Sequence, residues 1–249
     1  MKPNLGTLMN FKKADLHVHT YFSDGLHSPA TVVDSASQNG ITLVAITDHD
    51  TMEGAYHAHA YAQQHPELHV QVILGEEISS RNGHILGLFL THPVEPHLSA
   101  LDTVRKIHEQ NGLAILPHPF HLYVGRTAPE PRAANLLPNI PFDGIESINH
   151  GDALSFLGNR PVQKLLQKFK LAAIGSSDAH DSAFVGMACT LFHGQTPDDL
   201  KKAIGTQKTQ ACYFRSWTFK DIVRQLKGSS EVLTRFMQSD SFLKSKNFF

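Results

Sequence analysis

The run Ile41-Thr42-Leu43-Val44-Ala45-Ile46-Thr47 is apolar along nearly its whole length. A strand that is half exposed alternates apolar and polar residues; a run like this one fits a parallel strand covered by helices on both faces. What precedes it reads as such a helix. Ser28-Pro29 has the form of an N-cap followed by proline at the first helical position, opening a helix over Ala30 to Gln38. Asn39-Gly40 closes it as a C-cap. The strand then delivers Asp48-His49-Asp50 at its C-terminal end.

The same alternation recurs along the chain. A second helix is expected from Met52 to Gln64, stopped by Pro66, and a third strand from His69 to Ile78. Arg81-Asn82-Gly83 reads as a hairpin turn, so His84 to Leu90 is expected to run antiparallel and to start on the rim where the third strand ends. An amphipathic helix from Leu98 to Gln110 leads to a short strand, Leu113 to Leu116, that runs into Pro117-His118-Pro119. The irregular stretch from Phe120 to Pro141 carries four prolines and has the length of a functional loop, a lid or a substrate wall. Strands are expected at Gly144 to Ile148, Leu171 to Ile174 and Val185 to Phe192, and helices from Pro161 to Phe169 and after Thr196. The pattern gives an α/β chain that closes as a barrel or near-barrel over residues 12–215. A C-terminal helical extension and polar tail follow over 216–249.

Composition narrows the function. A formal net charge of −1 supplies no global basic field for nucleic acid. Two cysteines, Cys189 and Cys212, form neither a disulfide framework nor a metal-ligand spacing, which fits a reducing cytoplasm. The N-terminus lacks the apolar run of a signal peptide, and no stretch approaches the ~20 apolar residues of a membrane span, so a cytoplasmic, membrane-free protein is expected.

The 17 histidines matter through their positions. In Asp15-Leu16-His17-Val18-His19 the period of two puts both imidazoles on one face, about 7 Å apart at ~3.3 Å per residue. His17, His19, His49, Glu77, His118, Asp178 and His180 all lie at or just past the C-terminal end of an expected strand, and His84 joins them through the hairpin. In barrels of parallel strand–helix units those ends share one face, where catalytic residues sit. Nitrogen and oxygen donors gathered on one rim read as a metal centre, and a donor set without thiolates suits divalent Mn, Fe or Zn.

The motifs Asp-Leu-His-Val-His-Thr, Ser-Asp-Gly, Ile-Thr-Asp-His-Asp, Gly-Glu-Glu-Ile-Ser, Pro-His-Pro and Ser-Ser-Asp-Ala-His, in this order over residues 14–193, resemble the PHP (polymerase and histidinol phosphatase) family. The resemblance implies a distorted seven-stranded TIM-like (β/α)7 barrel, two or three divalent metal ions and hydrolysis of phosphate esters. It implies His17 and His19 with Asp178 on a first metal, and Asp24, His49 and His180 on a second. Glu77 would bridge, and His84 and His118 would hold a third. Alternation along the strand agrees that only one of Glu76 and Glu77 faces the site.

Paired metals can activate a water for in-line attack on phosphorus and take up the developing charge. His121 is a candidate proton donor to the leaving oxygen. Arg126 and Arg160 are candidate phosphate clamps, and His150 a further residue within reach of the rim. The expected substrate is a small, nucleotide-like phosphomonoester. Alternatives are 5′-to-3′ exonuclease action on short oligonucleotides, an amidohydrolase-type reaction, and a non-catalytic metal-binding accessory. An amidohydrolase normally carries a bridging lysine at a mid-barrel strand end, and no lysine stands there. Aspartate at position 24 resembles the subgroup of nucleotide phosphatases and exonucleases, although only the residues from Phe120 to Asp143 stand where its larger members insert a covering domain.

Overall fold

The computed structural model describes residues 11–120, 137–151 and 156–238. The first strand, β1 (Lys12–Asp15), is followed by α1 (Pro29–Gln38), β2 (Leu43–Ile46), α2 (Glu53–Gln64), β3 (Gln71–Ser80) and β4 (Gly83–Leu88). Next come α3 (Ala100–Glu109), β5 (Leu113–Leu116), β6 (Gly144–Asn149), α4 (Phe156–Phe169), β7 (Ala172–Ser176) and β8 (Ala188–Phe192). The described chain ends with α5 (Pro197–Gly205), β9 (Gln210–Tyr213) and α6 (Phe219–Gln238).

Local chemistry sets most of these boundaries. The Ser28 hydroxyl accepts from Thr31 N, and Gly40, at φ +66°, takes the left-handed turn after α1 at no Cβ cost. Ser99 caps α3, and Thr196 with Asp199 forms a reciprocal capping box on α5. β2 is buried at every position, as its apolar run requires.

The strands form one sheet in the order β7-β6-β5-β4-β3-β2-β1-β8-β9. β1, β2 and β3 are parallel, as are β5, β6 and β7. β4 runs antiparallel to both of its neighbours, so the expected hairpin exists, with Ser79 opposite His84. The resemblance implies seven strands and the sheet has nine among the described residues; of these, β9, antiparallel to β8, is the one that no expected strand matches. β8 begins at Ala188 rather than Val185, since Ser182–Phe184 forms a single 3₁₀ turn first. α4 begins at Phe156, ahead of Pro161, which lies in its second turn and there forfeits one backbone hydrogen bond.

The sheet curls until β7 faces β8, and side chains close the seam. Gly175 N donates to Thr190 Oγ1, which donates back to Gly175 O, and Thr209 Oγ1 donates to Ala173 O. Beyond the strand ends a parallel bridge, Val18–Ala179, joins β1 to β7 directly. The result is a distorted TIM-like barrel. Its inner cluster takes Leu43, Ala45, Ile73, Leu86, Ile115 and Phe192 from around the wall. Burying each large apolar side chain is worth ~1.5–3 kcal/mol. Two outer clusters fix α1 and α2 against one side of the wall and α3 against another. No helix among the described residues is long and apolar enough to cross a membrane.

Candidate metal centre

Seven loops and strand ends converge on the barrel's C-terminal rim. Immediately beyond β1, His17 Nε2 and His19 Nε2 stand 3.0 Å apart. Glu77, on β3, places Oε2 3.1 Å from the first and 3.3 Å from the second. Asp178, just past β7, places Oδ1 3.4 and 3.3 Å from the same two nitrogens. The other Glu77 oxygen, Oε1, lies 3.0 Å from His118 Nε2 and 3.1 Å from His84 Nδ1. Glu77 Oε2 is also 3.4 Å from His49 Nδ1. Asp24 completes the other flank, with Oδ2 3.2 Å from His180 Nε2 and 3.6 Å from His49 Nε2.

The fold thus brings together His17, His19, Asp24, His49, Glu77, His84, His118, Asp178 and His180. They fall into overlapping groups whose ligand atoms lie within 4.8 Å: His19/Asp24/His49/His180, His17/His19/Glu77, His17/His118/Asp178 and His49/Glu77/His84. Glu77 is central, touching His17, His19, His49, His84 and His118. His19 reaches both flanks, because its Nδ1, buried and without a hydrogen bond, lies 3.4 Å from Asp24 Oδ1.

The donor set fits divalent metals. Nitrogen and oxygen ligands ~2.0–2.2 Å from one ion stand roughly 3 Å apart, and the His17 and His19 nitrogens stand so from each other, from Glu77 Oε2 and from Asp178 Oδ1. Charge agrees with geometry. Burial raises the Glu77 and Asp178 carboxyls, but His17 and the neighbouring imidazoles reverse this and hold both well below the carboxylate range. Burial lowers the His17 imidazole, yet Asp178, Glu77 and Glu146 carry it well above its ordinary value. His19, opposed by burial in the same way, is driven up to about 10 by Asp24 and by hydrogen bonds to Asp178 and Glu77. Ionised carboxylates in a dry space demand positive charge, which protons on imidazoles or a divalent cation can supply. Burial dominates at His49 and lowers it to about 4, leaving a neutral ring with a lone pair to offer.

A surrounding layer sets the orientation of these donors. Glu146, buried on β6, accepts from His17 Nδ1 at 3.0 Å, from Ser176 Oγ, from His118 N at 2.8 Å and from Asn149 Nδ2 at 2.9 Å. With its Nδ1–H committed there, His17 presents Nε2 to the cluster. His180 Nδ1 likewise faces the Asp178 carbonyl at 3.0 Å. Asp15 accepts from Ser177 N, Ser177 Oγ and Gly186 N, tying β1 to the loop that carries Asp178. Asp48 accepts from Thr20 N, Thr20 Oγ1 and Ser23 Oγ, fixing the loop that carries Asp24. On that loop a Cβ at Gly25 would lie 2.5 Å from the His19 carbonyl oxygen, so only glycine permits the approach. His118 (φ 24°) and Asp178 (φ 51°) both hold left-handed backbone conformations.

Glu76 points away, as the alternation requires, and accepts from Val94 N at 2.9 Å in the helix layer rather than reaching solvent. His150 is not in the cluster. Its Nε2 lies 3.1 Å from the Arg215 carbonyl and its ring packs edge-on against Tyr213 and Trp217. His121 and Arg126 lie outside the described residues, as does most of the proline-rich loop. Arg160 lies on α4, its side chain outside the described set. Sequence reasoning passed over Glu146, Asp15 and Asp48, although an isolated carboxylate within Gly-Ile-Glu-Ser-Ile-Asn was a visible signal.

The sequence profile of the PHP domain family matches residues 15–180, well over half of the chain. The chain belongs to the PHP family. A PHP-associated profile matches residues 157–209. As a PHP protein, it is a metal-dependent phosphoester hydrolase.

An uncharacterised protein of Methanocaldococcus jannaschii is 34% identical over 172 residues, which cover 63% of this chain and 95% of that one. A 5′-3′ exoribonuclease of Haemophilus influenzae is 41% identical over 88 residues, 33% of this chain and 31% of the relative. A 3′,5′-nucleoside bisphosphate phosphatase of Chromobacterium violaceum is 37% identical over 97 residues, 37% of this chain and 33% of the relative. The chain thus matches only about a third of the length of each of these two relatives. Among solved structures, a two-domain protein from Bacteroides vulgatus described as containing a predicted PHP-like metal-dependent phosphoesterase superposes with a TM-score of 0.68. At 21% identity it covers 90% of this chain and 71% of its own, a likeness of fold.

Proposed function

We propose that this PHP hydrolase cleaves a small nucleotide-like phosphomonoester, using two or three divalent ions held by the clustered donors. The observation that carries the reading is the approach of Glu77 Oε2 and of Asp178 Oδ1 each to within 3.1–3.4 Å of both His17 Nε2 and His19 Nε2, which are themselves 3.0 Å apart. Divalent ions at such a site lower the pKa of water to supply a nucleophile at neutral pH and neutralise charge developing on phosphoryl oxygens.

The protein's own groups do the rest. Glu77, shared among His17, His49, His84 and His118, sets the spacing of neighbouring ligand sets. Asp24 and His180, on the more exposed flank, border the opening through which a phosphate enters. Glu146 keeps His17 in the tautomer that offers Nε2 inward. His121 gives its proton to the leaving alkoxide, and Arg126 and Arg160 hold phosphoryl oxygens. Manganese, iron and zinc all suit this donor set.

A second reading is removal of 5′ nucleotides from short oligonucleotides. The resemblance to the Haemophilus influenzae exoribonuclease favours it. The test is metal analysis of the purified protein, run beside phosphate release from a panel of nucleotides and generic esters with manganese added. Two or three bound metals, and phosphate release that disappears in Asp178→Ala, are expected. Bound metals without turnover of any ester or oligonucleotide end would overturn both readings.

A further inference from the structure

The C-terminal helix α6 lies against the rim. Gln225 Nε2 donates to the carbonyl of Gly151, just past β6, at 2.7 Å. Arg224 Nε pairs with Asp181, the residue after His180. A Cβ at Gly228 would lie 2.6 Å from Leu26 Cδ1, so the helix meets the Asp24 loop at close range. At its start, Thr218 and Asp221 cap one another and Arg215 grips the Asp221 carboxylate at 2.8 Å.

Between this helix and the rim runs a cleft of about 420 Å³, lined by Leu26, His27 and Asp181 on one side and by Lys220, Arg224 and Lys227 on the other. The cleft begins one residue from His180 and two from Asp24, and Leu26 N is bonded to the His180 carbonyl at 2.7 Å. The three cations follow the i, i+4, i+7 spacing of one helix face. Lys220 and Lys227 are exposed and form no ion pair among the described residues. Arg224 is neutralised by Asp181, and Glu231 is the other carboxylate on the cleft. An excess of cationic side chains in a hollow beside a phosphoester site is the electrostatic form of a receptor for a second phosphate.

We propose that Lys220 and Lys227 bind a second, non-scissile phosphate of the substrate, one nucleoside away from the phosphate that is cleaved. The proposal rests on the phosphoesterase reading and adds the specificity. Two lysines about 10 Å apart along the helix, on flexible stems, can close on one phosphate from either side of the fixed Arg224. The same chemistry would serve the 3′-phosphate of a nucleoside bisphosphate or the first internal phosphate of an oligonucleotide.

The experiment compares kcat/KM of the manganese-loaded full chain for adenosine 5′-monophosphate, adenosine 3′,5′-bisphosphate and a 5′-phosphorylated dinucleotide. It is run on the native chain, on Lys220→Ala/Lys227→Ala, and on Lys202→Ala, an exposed lysine of α5, as a control. The native chain is expected to favour at least one substrate with a second phosphate by tenfold or more. The double variant should lose at least tenfold of that preference through KM, and Lys202→Ala should keep it. A preference for the bisphosphate alone assigns the cleft to a terminal phosphate, and one for the dinucleotide alone assigns it to an internal phosphate. No preference in the native chain, or one that survives the double substitution, overturns the proposal. If no ester is turned over, the phosphoesterase reading fails, and calorimetric binding of the bisphosphate decides separately. Tenfold weaker binding by the double variant supports the lysine site, and equal binding removes it.

Discussion

His17 Nδ1 and Glu146 Oε1 lie 3.0 Å apart across 129 positions of sequence, and both side chains are fully buried. The contact fixes which imidazole nitrogen faces the cluster. Glu146→Gln preserves the shape but presents either an amide NH₂ or a weaker acceptor to Nδ1. Metal affinity is expected to fall 10–100-fold, as for other outer partners of ligating histidines. Manganese titration calorimetry reads this, and unchanged affinity would separate Glu146 from the metal site.

Gly25→Ala tests the Asp24 loop. The added methyl would meet the His19 carbonyl oxygen at 2.5 Å and the Thr20 nitrogen at 2.6 Å, both backbone atoms that cannot rotate away. Overpacking of this kind costs ~1–3 kcal/mol. The loop must move, taking Asp24 from His49 and His180, so denaturation should show the loss of stability and mass spectrometry a lower metal content. A variant that keeps both would mean that the loop yields freely.

Asp221 gives stability a pH dependence at the foot of α6. Burial raises its carboxyl, but hydrogen bonds from Thr218 and Arg215 outweigh burial and hold it below the usual range. Its contribution is therefore complete above the unfolded-state value of about 3.9 and is lost as pH falls through the lower folded value. Asp221→Asn is expected to cost about 1 kcal/mol at pH 7, the worth of a cap. The gap in Tm from the native chain should narrow below pH ~4. A gap independent of pH would assign the effect to packing.

Thr196→Ala removes the capping box of α5 and should likewise cost about 1 kcal/mol, lowering Tm by about 2–4 °C. Activity should not change. Gln195 is bonded to Gln71, the first residue of β3, so this corner lies at the end of the barrel away from the rim. Reduced kcat/KM in a fully folded variant would show that the two ends communicate.

Much of this architecture was written locally. Caps at Ser28 and Thr196, the continuous apolar run of β2 and the Asn-Gly turn before β4 each carry their own signal. Alternation along one strand said that only one of Glu76 and Glu77 could face inward, and the family resemblance picked Glu77. The outer layer was not written locally. Asp15 and Asp48 look like companions of the adjacent histidines until their partners, Ser177 and Thr20, are in place. A register shift between Glu146 and Ile148 breaks the period of two in β6, so counting along that strand cannot say which way Glu146 points. The path of α6 depends on Gly151, Asp181 and Leu26, three contacts from three distant loops, which no amphipathic pattern encodes.

The strut from Asp15 to Ser177 spans 162 positions, and this bears on the order in which the protein is made. As the chain leaves the ribosome, His17, His19, Asp24, His49, Glu77 and His84 emerge together, ahead of β5. Asp178 and His180 follow only after a further ~90 residues, and the loop they close is long. Loop length itself is cheap, at ~0.6 kcal/mol per doubling, but contacts so distant in sequence form slowly. β1 is thus among the last of these strands to be enclosed, and a chain cut short before β7 holds only part of the ring of donors.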